Sequence, residues 1–572
     1  MSLYPNPTAG PVAGEEPVQK ANQACMSCRK QKRKCDKALP ACALCSRMNR
    51  HCDYSDSIPA PTHEDFNALR NKLMELEGRL NGRAAVMGQP TSFPTPSSSL
   101  SGPDGLGPQA PGFSPPQEAP WQNIQNRFPA IAFLDAESFT YGQVSVPKPP
   151  IDIPLDVLEL LGDGPSVQAT LIEYFSTIHK TFPIVSQKRL TQNMSNPLWE
   201  AGPDLALLFL CMKLAISKPQ DGIESSQNLV YMAAKRFVAL MEATGMVTLV
   251  VLQANLLVTL YEYGQAIYPA AWMSAGWCVR YGNLCGINEF KEAAQVLGRP
   301  QTWIDQEERR RTWWGVLVID RIVSIGSQTH IMTSQEPNEG DPLPVDDAAW
   351  DEGEMGHAYQ RSVGGDVTDT VAPFPRLCQA YIMLGKVFMN HKADNSPDTS
   401  KFSQASQLYL EISVLARKIT EEAAQAADYL SFAAPMALTF SALCTICEVY
   451  SCPTSADISK TPEAAAMQVQ ALDGLKTVSR SIVDFAEKVN LATQHPQDLD
   501  RVSPLVMDAL YSAAANNAWL VRENGDENSQ MALESLRHCL RRLGARWRNA
   551  AEYLRILEAQ EFTYAVGTAG SA

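Results

Sequence analysis

The chain has 572 residues, of which 45% are hydrophobic and 19% charged, and a formal net charge of −14. This length exceeds the ~100–200 residues of one ordinary domain, so two or more domains are expected. The chain is apolar enough to bury a large core. The charge is uneven: residues 20–52 carry +8, with Asp36 as the one acid, and the remainder carries −22. We infer that this basic segment, rather than the whole protein, meets a polyanion.

Residues 1–19 have neither the apolar core nor the basic lead-in of a secretory signal, and we expect a disordered arm. Without a signal, the expected compartment is intracellular and reducing. Clustered cysteines there favour metal binding over disulfides.

Residues 20–54 contain a repeated C-x2-C-x6-C pattern, formed by Cys25, Cys28, Cys35, Cys42, Cys45 and Cys52. A structural zinc takes four ligands, so one zinc would leave two cysteines unused. Two zincs require two thiolates that bridge both metals. The symmetry of the repeat predicts that these are the first cysteine of each half, Cys25 and Cys42. The predicted ligand sets are Cys25, Cys28, Cys35 and Cys42 for one zinc, and Cys42, Cys45, Cys52 and Cys25 for the other.

A basic run lies between Cys28 and Cys35, where five of six residues are Lys or Arg. Lys and Arg neutralise phosphates and donate to guanine O6 and N7. With this run and Pro40, the segment resembles the fungal zinc binuclear cluster DNA-binding domain. The resemblance implies two zinc ions, a short helix after each C-x2-C pair, and a first helix that enters the major groove of double-stranded DNA to read CGG.

The resemblance also implies roles for the residues of the run. Lys32 is the expected guanine contact, with Gln31 beside it, although the family often has a basic residue at the position of Gln31. Phosphate contacts or an exposed face are expected for Arg29, Lys30, Arg33 and Lys34. The alternative is a nuclear localisation run, and both roles are compatible.

A proline-containing connector (55–65) precedes a short predicted coiled-coil helix (66–82), whose a/d seam consists of Phe66, Leu69, Leu73, Leu76 and Leu80. We expect a parallel homodimer in which each head reads one half-site and the connector sets their spacing. The alternative is that this stripe docks on the large domain. Residues 83–126 are predicted to be a disordered linker, since 20 of the 33 residues in 88–120 are Pro, Ser or Gly.

Residues 127–560 show helical spacing and few strand signals, which predicts a large all-α domain. One predicted helical face consists of Val167, Leu171, Tyr174, Phe175 and Ile178. Two apolar stretches, 246–261 and 429–447, are interpreted as buried core helices rather than membrane spans. A flexible tail is expected at 561–572.

Three segments, 268–287, 309–325 and 336–350, resemble the fungal-specific transcription factor domain. The resemblance implies a helical regulatory domain, in some members responsive to a small molecule. Cys444 and Cys447 are expected to be core thiols, and Arg309–Arg311 a solvated or salt-bridged face. Two acidic-aromatic stretches, 346–354 and 557–567, are candidate activation surfaces.

These observations favour a nuclear regulator of RNA polymerase II genes that binds CGG sites as a zinc-dependent homodimer, with an inducer or co-regulator as a further partner. We expect no enzyme, because no catalytic motif is present, and no membrane partner. The pathway is expected to be a secondary-metabolite gene cluster, with nutrient or carbon-source genes as the alternative. A zinc-stabilised interaction scaffold is the alternative from another class.

Overall fold

A computed structural model describes residues 21, 23–31, 33–54, 128–142, 144–193, 202–288, 296–326, 332–357, 359–392, 400–451 and 461–569. The chain divides into two compact units, Met1–Phe113 and Ser114–Ala572, and each is described by itself. Four predicted regions lie outside the described residues: the arm (1–19), the connector (55–65), the coiled-coil helix (66–82) and the linker (83–126).

The described residues of the N-terminal unit form two short helices, α1 (Met26–Lys30) and α2 (Ala43–Arg47). Each helix follows directly on a cysteine in extended conformation, Cys25 before α1 and Cys42 before α2. The core of the unit consists largely of cysteine side chains, with Leu44 and Tyr54 packed against them. Apart from the cysteines, the described residues of this unit bury little apolar surface, and we therefore expect their fold to depend on a bound metal.

The larger unit is built from α-helices. Its described residues contain no strand, and Pro342 and Ser362 form an isolated bridge. Its first α-helices are α3 (Ile131–Leu134), α4 (Ala136–Tyr141), α5 (Leu155–Leu161), α6 (Gly164–Ser176), α7 (Ile178–Thr181), α8 (Gln187–Asn193), α9 (Pro203–Ile216), α10 (Leu229–Thr244), α11 (Leu249–Gly264) and α12 (Ala270–Cys285). They are followed by α13 (Trp303–Ile322), α14 (Asp347–Glu352), α15 (Pro373–Lys392), α16 (Ser400–Gln425), α17 (Ala433–Ser451), α18 (Pro462–Ala492), α19 (Met507–Asn524), α20 (Glu527–Leu543) and α21 (Arg548–Ala569).

Helix α6 illustrates why these sequences form helices. The carboxylate of Asp163 accepts a hydrogen bond from the Ser166 amide at 3.0 Å, which satisfies a free donor at the start of the helix. The predicted apolar face is confirmed, because Val167, Leu171, Tyr174, Phe175 and Ile178 are all buried. This face packs on α9, which lies deep in the same core.

The two apolar stretches form core helices, α11 and α17. The segment Tyr429–Ser451 has the length and hydropathy of a membrane span, but 89% of its apolar window is buried inside the protein. Helix α11 has 16 residues, and its residues from Val251 onward are buried. The interpretation of both stretches as core helices is confirmed. Cys444 and Cys447 lie in this core at 1% and 0% exposure, as expected for core thiols.

A buried guanidinium ties α13 to α14 and to the loop before it. Arg311 is fully buried and forms ion pairs with Glu307 at 3.1 Å and Asp347 at 2.7 Å. Its guanidinium also donates to the Val345 carbonyl at 2.7 Å and lies 4.3 Å from the ring centroid of Trp350. The Arg309–Arg311 run is therefore salt-bridged inside the protein rather than solvated.

The acidic-aromatic stretch 346–354 is only partly exposed. It forms α14, in which Trp350 is fully buried and stacks on the buried His179 ring at 6.0 Å between centroids. Asp347 is engaged by Arg311 at 2.7 Å. The aromatic residue of this candidate activation surface is therefore buried by partners that lie far away in the sequence, while Glu352 and Glu354 remain exposed.

Arg546 links the C-terminal part of the larger unit to the end of α9. This buried side chain, between α20 and α21, donates to the carbonyls of Ala215 at 2.7 Å and Ser217 at 3.0 Å at the end of α9. It also pairs with Asp500 at 3.0 Å, and its guanidinium carbon lies 3.8 Å from the ring centroid of Trp547. The contacts with Ala215 and Ser217 span more than 300 residues of sequence.

The last helix is longer than the sequence indicated. Helix α21 continues to Ala569, whereas we predicted a flexible tail from residue 561. Arg537 on α20 forms an ion pair with Glu561, which holds the helix beyond the predicted boundary. The second acidic-aromatic stretch, 557–567, is therefore helical, and Phe562 on it is 72% exposed.

Candidate metal centre and nucleic-acid interface

The two C-x2-C pairs of the N-terminal unit each span the start of a short helix. Cys25 caps α1 and Cys28 lies within its first turn, while Cys42 and Cys45 occupy the same places on α2. The Cys45 amide donates to the Cys42 Sγ at 3.4 Å. Helix starts have free amides that stabilise negative charge, so this position favours thiolates.

The six sulfurs fall into two overlapping groups of four. One group is Cys25, Cys28, Cys35 and Cys42, the other is Cys25, Cys42, Cys45 and Cys52, and within each group the sulfurs lie within 4.8 Å of one another. Cys25 and Cys42, which belong to both groups, have their sulfurs 3.7 Å apart. Cys25, Cys28, Cys42 and Cys45 are at most 3% exposed, whereas Cys35 and Cys52 are half-buried.

The chemistry of this donor set suits zinc. Burial raises the pKa of the Cys28 thiol to about 12 and also raises the pKa of the Cys42 thiol. Burial acts in the same direction on Cys25, but hydrogen bonds from Cys28 lower its pKa to about 6. Six crowded thiolates require a positive charge between them, which zinc supplies when bound, and binding then displaces protons from the thiols.

Asp36 and Tyr54 support the cysteines, although the sequence did not single them out. The Asp36 carboxylate accepts from the Ala43 amide at 3.1 and 3.2 Å, at the start of α2. The Tyr54 hydroxyl donates to the Ala38 carbonyl at 3.1 Å and lies 3.9 Å from the Cys35 Sγ. These contacts hold the loop that carries Cys35 against α2. The weak signal for Asp36 is that it is the one acid in a basic segment.

The predicted DNA-contacting residues are distributed along α1 and the residues after it. Arg29 is exposed on α1, which also contains Lys30, and Gln31 is the C-terminal cap. Arg33 and Lys34 are exposed beyond the helix. The structure therefore brings these basic residues together on one short segment. Lys32, the predicted guanine contact, lies outside the described residues.

Arg50 joins this basic segment from the other half of the repeat. Its Nη1 donates to the Gln31 Oε1 at 2.7 Å, across 19 residues of sequence. Gln31 is thus oriented by a basic residue that the sequence analysis had not placed there. The repeat symmetry is the signal available in sequence, because it predicts that the two halves pack together.

The predicted dimerisation residues Phe66, Leu69, Leu73, Leu76 and Leu80 lie outside the described residues. The homodimer therefore stays a prediction at this point.

Two family models match the chain in the regions that these units occupy. Residues 23–61 match the fungal Zn(2)-Cys(6) binuclear cluster domain, and residues 171–444 match the fungal specific transcription factor domain. The transcription factor BOA15 of Botryotinia fuckeliana is 37% identical over 182 residues, which cover 31% of this chain and 97% of BOA15. The chain belongs to the fungal Zn(2)-Cys(6) transcription factors.

Members of the Zn(2)-Cys(6) family bind DNA through a domain in which six cysteines hold two zinc ions, in agreement with the sulfur cluster of this chain. The pigment biosynthesis transcriptional activator pigB of Monascus ruber is 30% identical over 210 residues, 35% of this chain and 36% of pigB. The citrinin biosynthesis transcriptional activator ctnR of Monascus purpureus is 23% identical over 386 residues, 62% of each chain. The match to pigB covers only about a third of the length of that protein.

Proposed function

We propose that this chain is a nuclear regulator of RNA polymerase II genes that reads CGG triplets through residues 20–54, here called the zinc head. The observation that carries the proposal is the overlap of two four-sulfur groups at Cys25 and Cys42. Six thiolates fill eight ligand positions only if two are shared. In this proposal Cys25 and Cys42 bridge, Cys28 and Cys35 complete one site, and Cys45 and Cys52 complete the other.

In this proposal the zinc head holds the basic segment in a conformation that can contact both the bases and the phosphates of DNA. In this assignment Lys32 donates to guanine in the major groove, and Gln31, oriented by Arg50 at 2.7 Å, lies beside it. Phosphates are neutralised by Arg29, Lys30, Arg33 and Lys34, which position the head without selecting a sequence. The exposure of Arg29, Arg33 and Lys34 supports this division.

Two heads act together in this proposal. The heptad seam at 66–82 pairs two chains in parallel, and each head then reads one CGG half-site. The connector at 55–65 sets the distance between the half-sites. The support is the a/d pattern of the sequence itself.

We assign the larger unit a regulatory role without catalysis, with a small-molecule inducer or co-regulator as its partner. Three of its described cysteines are poor nucleophiles, because burial raises the pKa of the Cys278, Cys285 and Cys447 thiols to about 12. The match of residues 171–444 to the fungal specific transcription factor domain supports the regulatory role.

The genes under control are proposed to form a secondary-metabolite cluster. The support comes from two relatives, which are named as activators of pigment biosynthesis and of citrinin biosynthesis. Regulation of nutrient or carbon-source genes has no such support among these relatives.

The test combines binding in solution with chromatin occupancy. The purified zinc-loaded chain should bind duplexes with paired CGG triplets more tightly than scrambled duplexes. The logarithm of its affinity should fall linearly with the logarithm of salt concentration, by about 0.9 for each phosphate contact. Occupancy mapping in the native cell should place peaks over paired CGG beside a contiguous gene set. Equal affinity for scrambled duplexes would instead favour an interaction scaffold.

A further inference from the structure

A cleft in the larger unit lies between α15, α16 and the loops that precede α15. It has two parts, with volumes of about 730 and about 330 Å³. Small-molecule sites have volumes of ~300 to ~1,000 Å³, so both parts are large enough to hold a ligand. The two parts adjoin, because they share five lining residues: Val363, Gly364, Ile382, Lys386 and Glu411.

The buried walls of this cleft are largely apolar. Ile382 and Met383 on α15 and Leu408 on α16 line it and are at most 9% exposed. Met389 on α15 also lines the larger part and is 59% exposed, so the apolar lining runs from the core to the protein surface. An apolar ligand is stabilised in such a cleft, because its own surface and this lining leave water together.

One polar group of the cleft lacks a partner. The Gln379 side chain on α15 lines the smaller part and is 5% exposed. Its Oε1 accepts a hydrogen bond from the Arg376 Nη1 at 2.6 Å. Because a guanidinium can only donate, this contact fixes the orientation of the amide and leaves Nε2 directed away from Arg376. Among the residues that the structure describes, none accepts a hydrogen bond from this Nε2. A nearly buried donor without an acceptor indicates a place for a ligand.

Arg376 holds the Gln379 amide in place from below the cleft. Arg376 is fully buried, and its Nε donates to Glu422 on α16 at 2.8 Å. Its Nη1 donates to the Val367 carbonyl at 3.0 Å, and Val367 itself lines the smaller part of the cleft. The donor of Gln379 is therefore positioned before any ligand arrives, which lowers the entropy that binding costs.

The charged groups of the cleft are accessible to solvent and mostly negative. Among the described residues that line it, Lys386 is the one cation, and the acids are Glu336, Glu339, Asp366 and Glu411. The Lys386 and Glu411 side chains are 53% and 42% exposed and lie 4.0 Å apart. Water and salt screen such exposed charges. The cleft therefore favours an uncharged ligand over an anion.

We propose that this cleft binds an uncharged, apolar small molecule that carries a carbonyl group. The carbonyl oxygen accepts a hydrogen bond from the Gln379 Nε2, and the apolar body of the molecule packs on Ile382, Met383 and Leu408. The proposal rests on the regulatory role proposed above and names the ligand class for it. Binding is measured without DNA, so its failure is distinct from a failure of CGG recognition.

The experiment uses the zinc-loaded full-length chain and 2-acetylnaphthalene as the probe. A second probe, 2-isopropylnaphthalene, has nearly the same shape but no carbonyl group. Equilibrium dialysis measures the affinity for each probe, and infrared difference spectroscopy measures the carbonyl stretch of the bound ketone. We expect saturable binding of the ketone and a carbonyl stretching frequency below its value in an alkane solvent, because the oxygen accepts a hydrogen bond.

Gln379→Met removes the donor and nearly keeps the shape, while Arg376 retains Glu422 and the Val367 carbonyl. It should lower the ratio of ketone to hydrocarbon affinity by about tenfold and abolish the shift of the carbonyl stretch. Gln530→Met, at an exposed glutamine of α20 that does not line the cleft, is the matched control and should leave both unchanged.

Gly364→Trp serves as a second variant in case Gln379→Met fails to fold. A Cβ at Gly364 would have the Glu339 side chain as its nearest neighbour, at 4.0 Å, so a larger side chain fits there and fills the cleft. This variant should bind neither probe. Absence of saturable ketone binding, an unshifted carbonyl stretch, an unchanged affinity ratio in folded Gln379→Met, or undiminished binding in Gly364→Trp would overturn the proposal.

Discussion

Asp36 holds the start of α2 through the amide of Ala43, with its two carboxylate oxygens 3.1 and 3.2 Å from that nitrogen. The contact joins the loop of the first half of the zinc head to the helix of the second half. A carboxylate at a helix start accepts a hydrogen bond from a free amide, and its negative charge interacts favourably with the positive end of the helix dipole.

We therefore expect Asp36→Ala to lower the stability of the zinc head by about 1 kcal/mol. The variant should release zinc to a competing chelator at a lower chelator concentration than the wild type does. Asp36→Asn is the matched control, because the side-chain oxygen of asparagine can still accept from the Ala43 amide. Equal zinc retention in Asp36→Ala and the wild type would contradict the role of this contact.

Cys42→Ser is expected to disturb both zinc sites, because the Cys42 sulfur belongs to both four-sulfur groups. Native mass spectrometry of the variant should show loss of both metals. Cys28→Ser, which affects one group, should leave the site of Cys25, Cys42, Cys45 and Cys52 able to hold zinc. A Cys42→Ser protein with one intact site would refute the bridging assignment.

Lys32→Ala and Lys34→Ala separate base reading from phosphate contact. Lys32→Ala should cost ~1–3 kcal/mol on CGG duplexes and relax the preference for guanine. Lys34→Ala should weaken binding nearly equally on all sequences and reduce the salt slope by about one. Fluorescence anisotropy with CGG and substituted duplexes measures both effects. The reverse order would show that the reading residue is assigned wrongly.

Arg311→Leu is expected to destabilise the larger unit by ~3–5 kcal/mol, because it removes the buried cation that Glu307 and Asp347 share and leaves Glu307 paired with Arg310 alone. Urea unfolding of the variant measures this loss. Arg555→Leu is the matched control, since Arg555 is 73% exposed in its side chain and its pair with Glu552 contributes at most ~1 kcal/mol. Adding Asp347→Asn to Arg311→Leu should recover part of the stability, because it removes the charge of the carboxylate that Arg311 had paired, and further loss would contradict this account.

Glu448 should make the larger unit less stable as pH rises. This residue lies on α17, where burial first, and then the charge of Asp508, raise its pKa to about 7 in the folded protein. The pKa of a glutamate in an unfolded chain is ~4.3, so between these values the folded state binds the extra proton. Stability from this group is therefore present at about pH 5 and is lost as pH rises through 7. In thermal unfolding, Glu448→Gln should flatten this part of the profile, whereas Glu534→Gln, at an exposed acid, should keep the wild-type slope.

The spacing of the cysteines was sufficient to predict the cluster, because ligand number and repeat symmetry constrain which sulfurs meet. The contribution of Asp36 could not be predicted, since it depends on how the loop returns to α2. The local charge pattern around Arg311 is typical of an exposed helix face. Its partner Asp347 lies 36 positions away in the sequence, so the burial of Arg311 could not be predicted from that pattern. Similar long-range contacts bury Ala349 and Trp350, whereas the local composition of 346–354 had made it a candidate activation surface.

Arg546 has a consequence for how this protein can be dissected. It fastens the region between α20 and α21 to the end of α9 through the carbonyls of Ala215 and Ser217. A deletion series that removes the chain from before Arg546 would leave these carbonyls without their donor and expose the core beneath Trp547. Lost gene activation in such truncations would then report unfolding rather than the removal of a separable activating segment.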